Sequence, residues 1–240
     1  MATTATIQPA AESRFAAASL QGASVQFGEL TALSNITLDV GVGEFWTILG
    51  PSGCGKSTML RLVSDLIPAA SGSASIFGKT TQEARLAREI AFVFQDATLL
   101  PWRSVLSNVE LPLEIGRKRG VEIPVGDRTP MELLDMVGLK GRENALPHEL
   151  SGGMRQRVAI ARALAPEPEL ILADAPTASL DSQSGKDVVE LLGNLCRNRG
   201  SAVLLVTHDL RLLNDADRIW RIEDGCVHRW APETAELSRH

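Results

Sequence analysis

The chain has 240 residues, 24 Lys and Arg against 29 Asp and Glu, a net charge of −5, and 44% hydrophobic against 22% charged residues. That balance suits a globular chain with a sizeable core, and without a Lys/Arg cluster, with four Trp, six Phe and no Tyr, it argues against a nucleic-acid surface or a base-stacking platform. No stretch reaches the roughly 18 consecutive apolar residues of a membrane span, and Cys54, Cys196 and Cys226 are an odd number without metal spacing, which suits a reducing cytosol rather than a disulfide frame.

The first 19 residues are rich in Ala and Thr but include Glu12 and Arg14. A basic start followed by an apolar run is missing, so the segment reads as a flexible tail and not as a signal peptide. From Ser24 short β-rich runs alternate with turns: Ser24 to Phe27, Ile36 to Val40 and Phe45 to Leu49. The last leads directly into a Gly-rich loop. Lys56 to Leu66 then reads as a helix with Met59, Leu60, Leu62, Val63 and Leu66 on its apolar face. Ser73 to Phe77 and Ile90 to Phe94 are expected strands. From about Asp96 to Ala165 the pattern turns helical, punctuated by Pro101, Pro112, Pro124 and Pro130. Strand and helix alternate again from Leu170 to Asp174, through Ala202 to Val206, Arg218 to Ile222 and Val227 to Trp230. The simplest account is an α/β chain over 20–240. It has a mostly parallel core sheet covered on both faces, a β-rich N-terminal part and an inserted helical subdomain over about 96–165.

Gly50-Pro51-Ser52-Gly53-Cys54-Gly55-Lys56-Ser57-Thr58 fits the phosphate-cradling pattern Gly-x-x-x-x-Gly-Lys-[Ser/Thr], and it lies between a strand and a helix, as the motif requires. Backbone N–H groups of such a loop turn inward around phosphate oxygens, helped by the helix N-terminus. Lys56 would reach the β- and γ-phosphates of ATP, Ser57 would place its hydroxyl on Mg²⁺, and Thr58 could bond the α-phosphate. Leu170-Ile171-Leu172-Ala173-Asp174 is a buried-strand pattern ending in a carboxylate, where open α/β sheets bind ligands. Asp174 would hold Mg²⁺ through a water; otherwise it caps the next turn. Leu150-Ser151-Gly152-Gly153-Met154 opens a helix through Arg155, Arg157, Ile160, Ala161 and Leu164. Ser151 can cap that helix, and the glycines would let a phosphate approach the backbone.

The order of phosphate loop, Gln95, Leu-Ser-Gly-Gly-Met, Asp174, Ala178-Ser179-Leu180-Asp181 and Val206-Thr207-His208-Asp209 resembles the ATP-binding subunit of an ABC transporter, from about Leu20 to Trp230. The resemblance implies a P-loop NTPase core. It also implies a head-to-tail dimer with a second ATP-binding subunit, in which ATP is held between the phosphate loop of one subunit and Ser151-Gly152-Gly153 of the other. By the same resemblance Gln95 reaches Mg²⁺ and the attacking water, Asp181 contacts the opposite subunit, and His208 touches the γ-phosphate. Phe27 falls where the family sets an aromatic ring against adenine, although a Phe ending a core strand would look the same. Leu99, Leu100 and Trp102 lie where the family receives a transmembrane permease; burial within their own subdomain is the alternative. The string Leu-Leu-Pro-Trp-Arg, with Met154, is similar to importers of nitrate, sulfonate, taurine and related small anions. Such subunits sit peripherally on the cytoplasmic face of the inner (plasma) membrane.

One position departs from the family. Where Glu usually follows the strand-ending Asp, Ala175 follows Asp174. A methyl group can neither accept a proton nor hold a water, and loss of a positioned base costs about 10²- to 10⁴-fold in rate. ATP binding should survive. Lys56, Gln95 and His208 remain as catalytic candidates. Three readings follow: a pair with a catalytically intact subunit, a slow homodimer, or an ordinary ATPase with an isolated substitution. The otherwise intact motifs favour the last. From a different class comes the alternative of a non-hydrolysing, ATP-dependent clamp or regulatory subunit.

Overall fold

The computed structural model describes residues 16–118, 120 and 128–230. Two sheets organise the described residues. The first is antiparallel, in the order β2-β1-β4-β5, from β1 (Ala16–Phe27), β2 (Leu30–Gly41), β4 (Ser71–Ile76) and β5 (Lys79–Thr80). The second has the order β10-β9-β3-β8-β7-β6, from β3 (Phe45–Leu49), β6 (Ile90–Val93), β7 (Leu170–Asp174), β8 (Ala202–Thr207), β9 (Arg218–Glu223) and β10 (Cys226–Arg229). All its pairings are parallel except β9 with β10. This is the α/β P-loop architecture that the motifs imply.

The period-two alternation of the core strands divides two apolar layers. Trp46, Ile48, Leu170, Leu172, Leu204 and Val206 face one layer, shared with β1, β2 and the helix α1 (Lys56–Val63). Phe45, Ile171, Ala173, Val203 and Leu205 face the other. That second layer is closed by the helices α3 (Val105–Lys118), α4 (Pro130–Met136), α5 (Gly152–Leu164) and α6 (Ser182–Arg199). A short helix, α2 (Thr81–Leu86), follows β5 and is fixed by a reciprocal capping box between Thr80 and Glu83. Truncating a fully buried strand residue such as Leu204 to Ala would cost about 2–5 kcal/mol through the cavity left in one layer.

Several expectations need correction. β1 begins at Ala16, so the strand reaches into the segment read as a tail of 19 residues; Ala18 and Ser19 pair with both Val40–Asp39 and Ile76–Ser75. Residues 1–15 lie outside the described residues. Helix α1 stops at Val63, because Asp65 turns left-handed at φ 59°, and Leu66 is left exposed. Pro112 does not interrupt the chain but sits inside α3. Pro130 opens α4 behind the Thr129–Glu132 capping box, where a proline costs no hydrogen bond. Pro124 lies outside the described residues.

Candidate functional site

Four neighbouring parallel strands end at one edge, and the predicted chemistry leaves from their C-terminal ends. Leu49 pairs with Thr207, Val206 with Asp174, and Ala173 with Val93. The phosphate loop after β3, His208 after β8, Asp174 and Ala175 at the end of β7, and Gln95 just beyond β6 therefore stand in spatial order. Gly50 N–H donates to the Thr207 carbonyl at 3.3 Å and Ala175 N–H to the Val206 carbonyl at 2.9 Å, which ties the loops side by side.

The loop's glycines answer to specific crowding. A Cβ at Gly50 would lie 2.5 Å from the Ile222 carbonyl oxygen, and one at Gly55 would lie 2.8 Å from that of Ala32. Gly55 caps α1 in the left-handed region at φ 109°, a conformation open to glycine. Lys56 Nζ donates to the carbonyls of Gly50 at 2.7 Å and Pro51 at 2.5 Å, inside the curve of its own loop. Cys54 is buried among Met59, Leu60 and Ile222, which makes it a filler under the loop. Pro51, Ser52 and Gly53 are exposed, and Thr58 is half-buried at the first turn of α1.

Ser57 Oγ donates to Asp174 Oδ1 at 2.9 Å. A hydroxyl oxygen beside a carboxylate, under an amide-lined loop with an ammonium, is the oxygen set that a hard cation bound to phosphates uses. These residues fit MgATP. Gln95 is exposed beyond β6, and His208 is exposed beside Asp181 in a small cavity of about 100 Å³.

Two further carboxylates near this edge, Asp181 and Asp209, are committed. Asp181 caps α6, accepting from Gln183 N at 3.1 Å and Ser184 N at 3.0 Å, and these bonds, that of Ser184 first, hold its pKa below the ordinary value. Asp209 is gripped by the Arg211 guanidinium, with Nη2 on Oδ2 at 2.7 Å and Nε on Oδ1 at 2.9 Å, and that bond lowers its pKa. Arg211 also donates to Ser182 Oγ at 2.9 Å, joining the His208 turn to the start of α6. Ala175 is nearly buried and has a left-handed φ of 42°.

Other predicted residues are held apart from this edge or serve differently. Ser151 caps α5 by accepting from Met154 N at 3.2 Å. Gly153 is buried, and a Cβ there would lie 2.9 Å from Ser184 Oγ, so packing on α6 explains that glycine within one subunit. Gly152 faces Leu180. The phosphate loop instead packs on Ala32, Leu33 and Ile222. Phe27, 51% exposed at the β1–β2 turn, is not a core residue. The hairpin's second strand carries Ala32 and Leu33 against Gly55.

The apolar cluster expected at 99–102 divides. Leu99 packs against the helical core layer, Leu100 is half-buried and held through its backbone by Asn108, and Trp102 is 74% exposed. A groove of about 470 Å³ lies nearby, between Phe92 and Phe94 on one side and Leu111, Pro112 and Ile115 on the other. Arg88 and Arg162 line it. Sequence reading missed Gln156, Arg162 and Arg211. The one available signal was Gln156, a polar residue on the buried face of α5.

A family profile described as "ABC transporter" matches residues 33–178. Among solved structures, the dimeric ATP-binding cassette MJ0796 in a post-hydrolysis state bound to ADP and Pi is similar, with 35% identity and a TM-score of 0.75 over 90% of this chain and 100% of that one. A second dimeric structure of MJ0796, described as a bacterial ABC transporter cassette, has 38% identity and a TM-score of 0.73 over 88% and 97%. The cbiO1 protein of Clostridium perfringens, part of the ABC transporter complex cbiONQ, has 25% identity and a TM-score of 0.76 over 90% and 88%.

Proposed function

From the premise that this chain belongs to the ABC transporter family of ATP-binding cassettes, we propose that it is the energy-coupling subunit of an importer. It binds MgATP between two head-to-tail copies or with a second ATP-binding subunit. The observation that carries this reading is the meeting of Ser57 and Asp174 under the phosphate loop. In this reading Ser57, Asp174 and Gln95 hold Mg²⁺, which supplies charge neutralisation at the phosphate oxygens. Lys56 binds the β- and γ-phosphates, His208 faces the γ-phosphate, Phe27 stacks on adenine, and Ser151 to Gly153 and Asp181 serve the opposite subunit. The dimeric cassettes among its relatives support the pairing.

A permease docks on the groove between Phe94 and Ile115, with exposed Trp102 nearby; the membership of cbiO1 in a transporter complex supports such a partner. No helix among the described residues is long and apolar enough to cross a membrane, and the chain works peripherally, at the cytoplasmic face of the inner membrane. The cargo class, a small anion such as nitrate, sulfonate or taurine, rests on the Leu99-Leu100-Pro101-Trp102-Arg103 string and Met154 alone.

A second reading has its own observation. Ala175 offers no base, and Asp181 and Asp209 are engaged as a helix cap and an ion pair. This favours a subunit that holds ATP as a dimerising ligand and hydrolyses it slowly. The test is the MgATP hydrolysis rate of the chain beside Ala175→Glu, with ATP affinity measured in both. A gain of about a hundredfold or more, within the range a positioned base supplies, at unchanged affinity supports the ATP-holding reading. Equal and substantial rates refute it and leave a working transport ATPase.

A further inference from the structure

Gln95 is exposed, yet the segment that carries it is anchored on both sides by a single helix. Gln156 of α5, itself only 3% exposed, donates Nε2–H to the Phe94 carbonyl at 2.9 Å. Arg162, about a turn and a half further along α5, donates to the Ala97 carbonyl at 2.8 Å, the Thr98 carbonyl at 2.9 Å and Thr98 Oγ1 at 2.9 Å. Thr98 is in the left-handed region at φ 47°. A β-branched residue rarely adopts that conformation and keeps it only where its surroundings over-determine it. Here one charged, planar donor grips both the hydroxyl and the carbonyl of the strained residue.

We propose that Gln156 and Arg162 are positioning residues for Gln95, and that Arg162 holds the Phe94–Thr98 segment in its strained position. Helix α5 begins at the Ser151-Gly152-Gly153 segment, and Arg162 also lines the apolar groove with Phe92, Phe94 and Ile115. One helix therefore joins the Gln95 segment, the expected subunit interface and the groove. The inference rests on the reading of this edge as an MgATP site.

The experiment measures ATP affinity with Mg²⁺ and with EDTA for the natural chain, Arg162→Lys, Thr98→Gly and the double variant, each with its melting temperature. Arg162→Lys keeps the charge and loses the fork. It is expected to weaken binding about tenfold with Mg²⁺, the loss typical of groups that orient a metal ligand, and to leave binding in EDTA within about twofold. In the Thr98→Gly background, where a left-handed φ carries no side-chain strain, the Mg²⁺-dependent loss should shrink. Gln156→Leu should repeat the selective loss. An equal loss with and without Mg²⁺ would reveal a merely structural role and overturn the proposal, as would no loss at all. A loss of the same size in the Thr98→Gly background would overturn the strained latch. A natural chain that binds no ATP in either condition would instead sink the functional reading on which the inference stands.

Discussion

Ser57 and Asp174, 117 residues apart, meet through a 2.9 Å hydrogen bond from the serine hydroxyl to the carboxylate. The first lies in the first turn of α1, just after the phosphate loop, and the second ends β7, two strands from β3 in the sheet. Only the parallel order β3-β8-β7 brings the two elements to the same edge. Ser57→Ala removes the hydroxyl and leaves the loop amides and Lys56 in place. ATP affinity in EDTA should hardly change, while the gain on adding Mg²⁺ should fall by at least about tenfold, in line with the cost of disturbing a metal's oxygen shell. Titration calorimetry in both conditions checks this. A Mg²⁺ gain that survives would remove Ser57 from the metal site.

Much of this edge was legible because its logic is local. A Gly-rich loop between strand and helix declares itself in nine residues, and a buried strand ending in Asp in five. What stayed hidden depends on distant neighbours. Gly153 reads as room for a phosphate, and the structure gives it a neighbour 31 residues on, in Ser184 of α6. Pro112 reads as a break, but α3 carries it next to the apolar groove. Leu99 and Trp102 look alike in a short apolar string, and tertiary packing alone separates them. The strain at Thr98 has no local signal either, since no composition rule places a threonine at φ 47°.

The separation of Leu99 from Trp102 predicts different phenotypes. Trp102 is exposed, so Trp102→Ala should leave the melting temperature nearly unchanged and weaken co-purification with the membrane partner. Leu99 packs on the helical layer, so Leu99→Ala should destabilise the chain by about 1–3 kcal/mol, at or below the low end of the cavity range because the residue is only partly buried. Thermal melts and pull-down of the two variants check the pair of outcomes. If both lose assembly without losing stability, the division of the cluster is wrong.

Asp209 makes an acid-side prediction. Its pKa is lowered first by the Arg211 hydrogen bond, opposed by burial, with Arg211 and His208 charge adding smaller pulls. A carboxylate with a lowered folded pKa contributes stability that is present above the unfolded value, about 3.9 for Asp, and is lost as pH falls through the folded value. The stability contributed by the charged carboxylate, read as the gap between the natural chain and Asp209→Asn, should therefore be present above about pH 5 and narrow below about pH 4. Melting curves across that range measure it. A gap that fails to narrow below about pH 4 would mean that the carboxylate is not held in its charged form.

The interior of β3 offers a test of the core itself. Thr47 is fully buried, and its Oγ1 has no hydrogen-bond partner among the described residues. It sits between Phe45 and Leu49 on a strand whose residues are otherwise all apolar. Leaving a buried hydroxyl unpaired costs about 1–3 kcal/mol, and valine has nearly the same shape without that group. Thr47→Val should therefore raise stability by roughly 1 kcal/mol, a few degrees in melting temperature, since the shape is kept and no cavity opens. Thr47 pairs with Leu205 and Ile219, two strands that flank the phosphate-loop strand. ATP affinity should nevertheless be unchanged, because the substitution leaves every backbone bond of β3 intact. A drop in stability would show that a buried water satisfies the hydroxyl and that the polar atom belongs to the core's design; denaturant melts of the two proteins decide it.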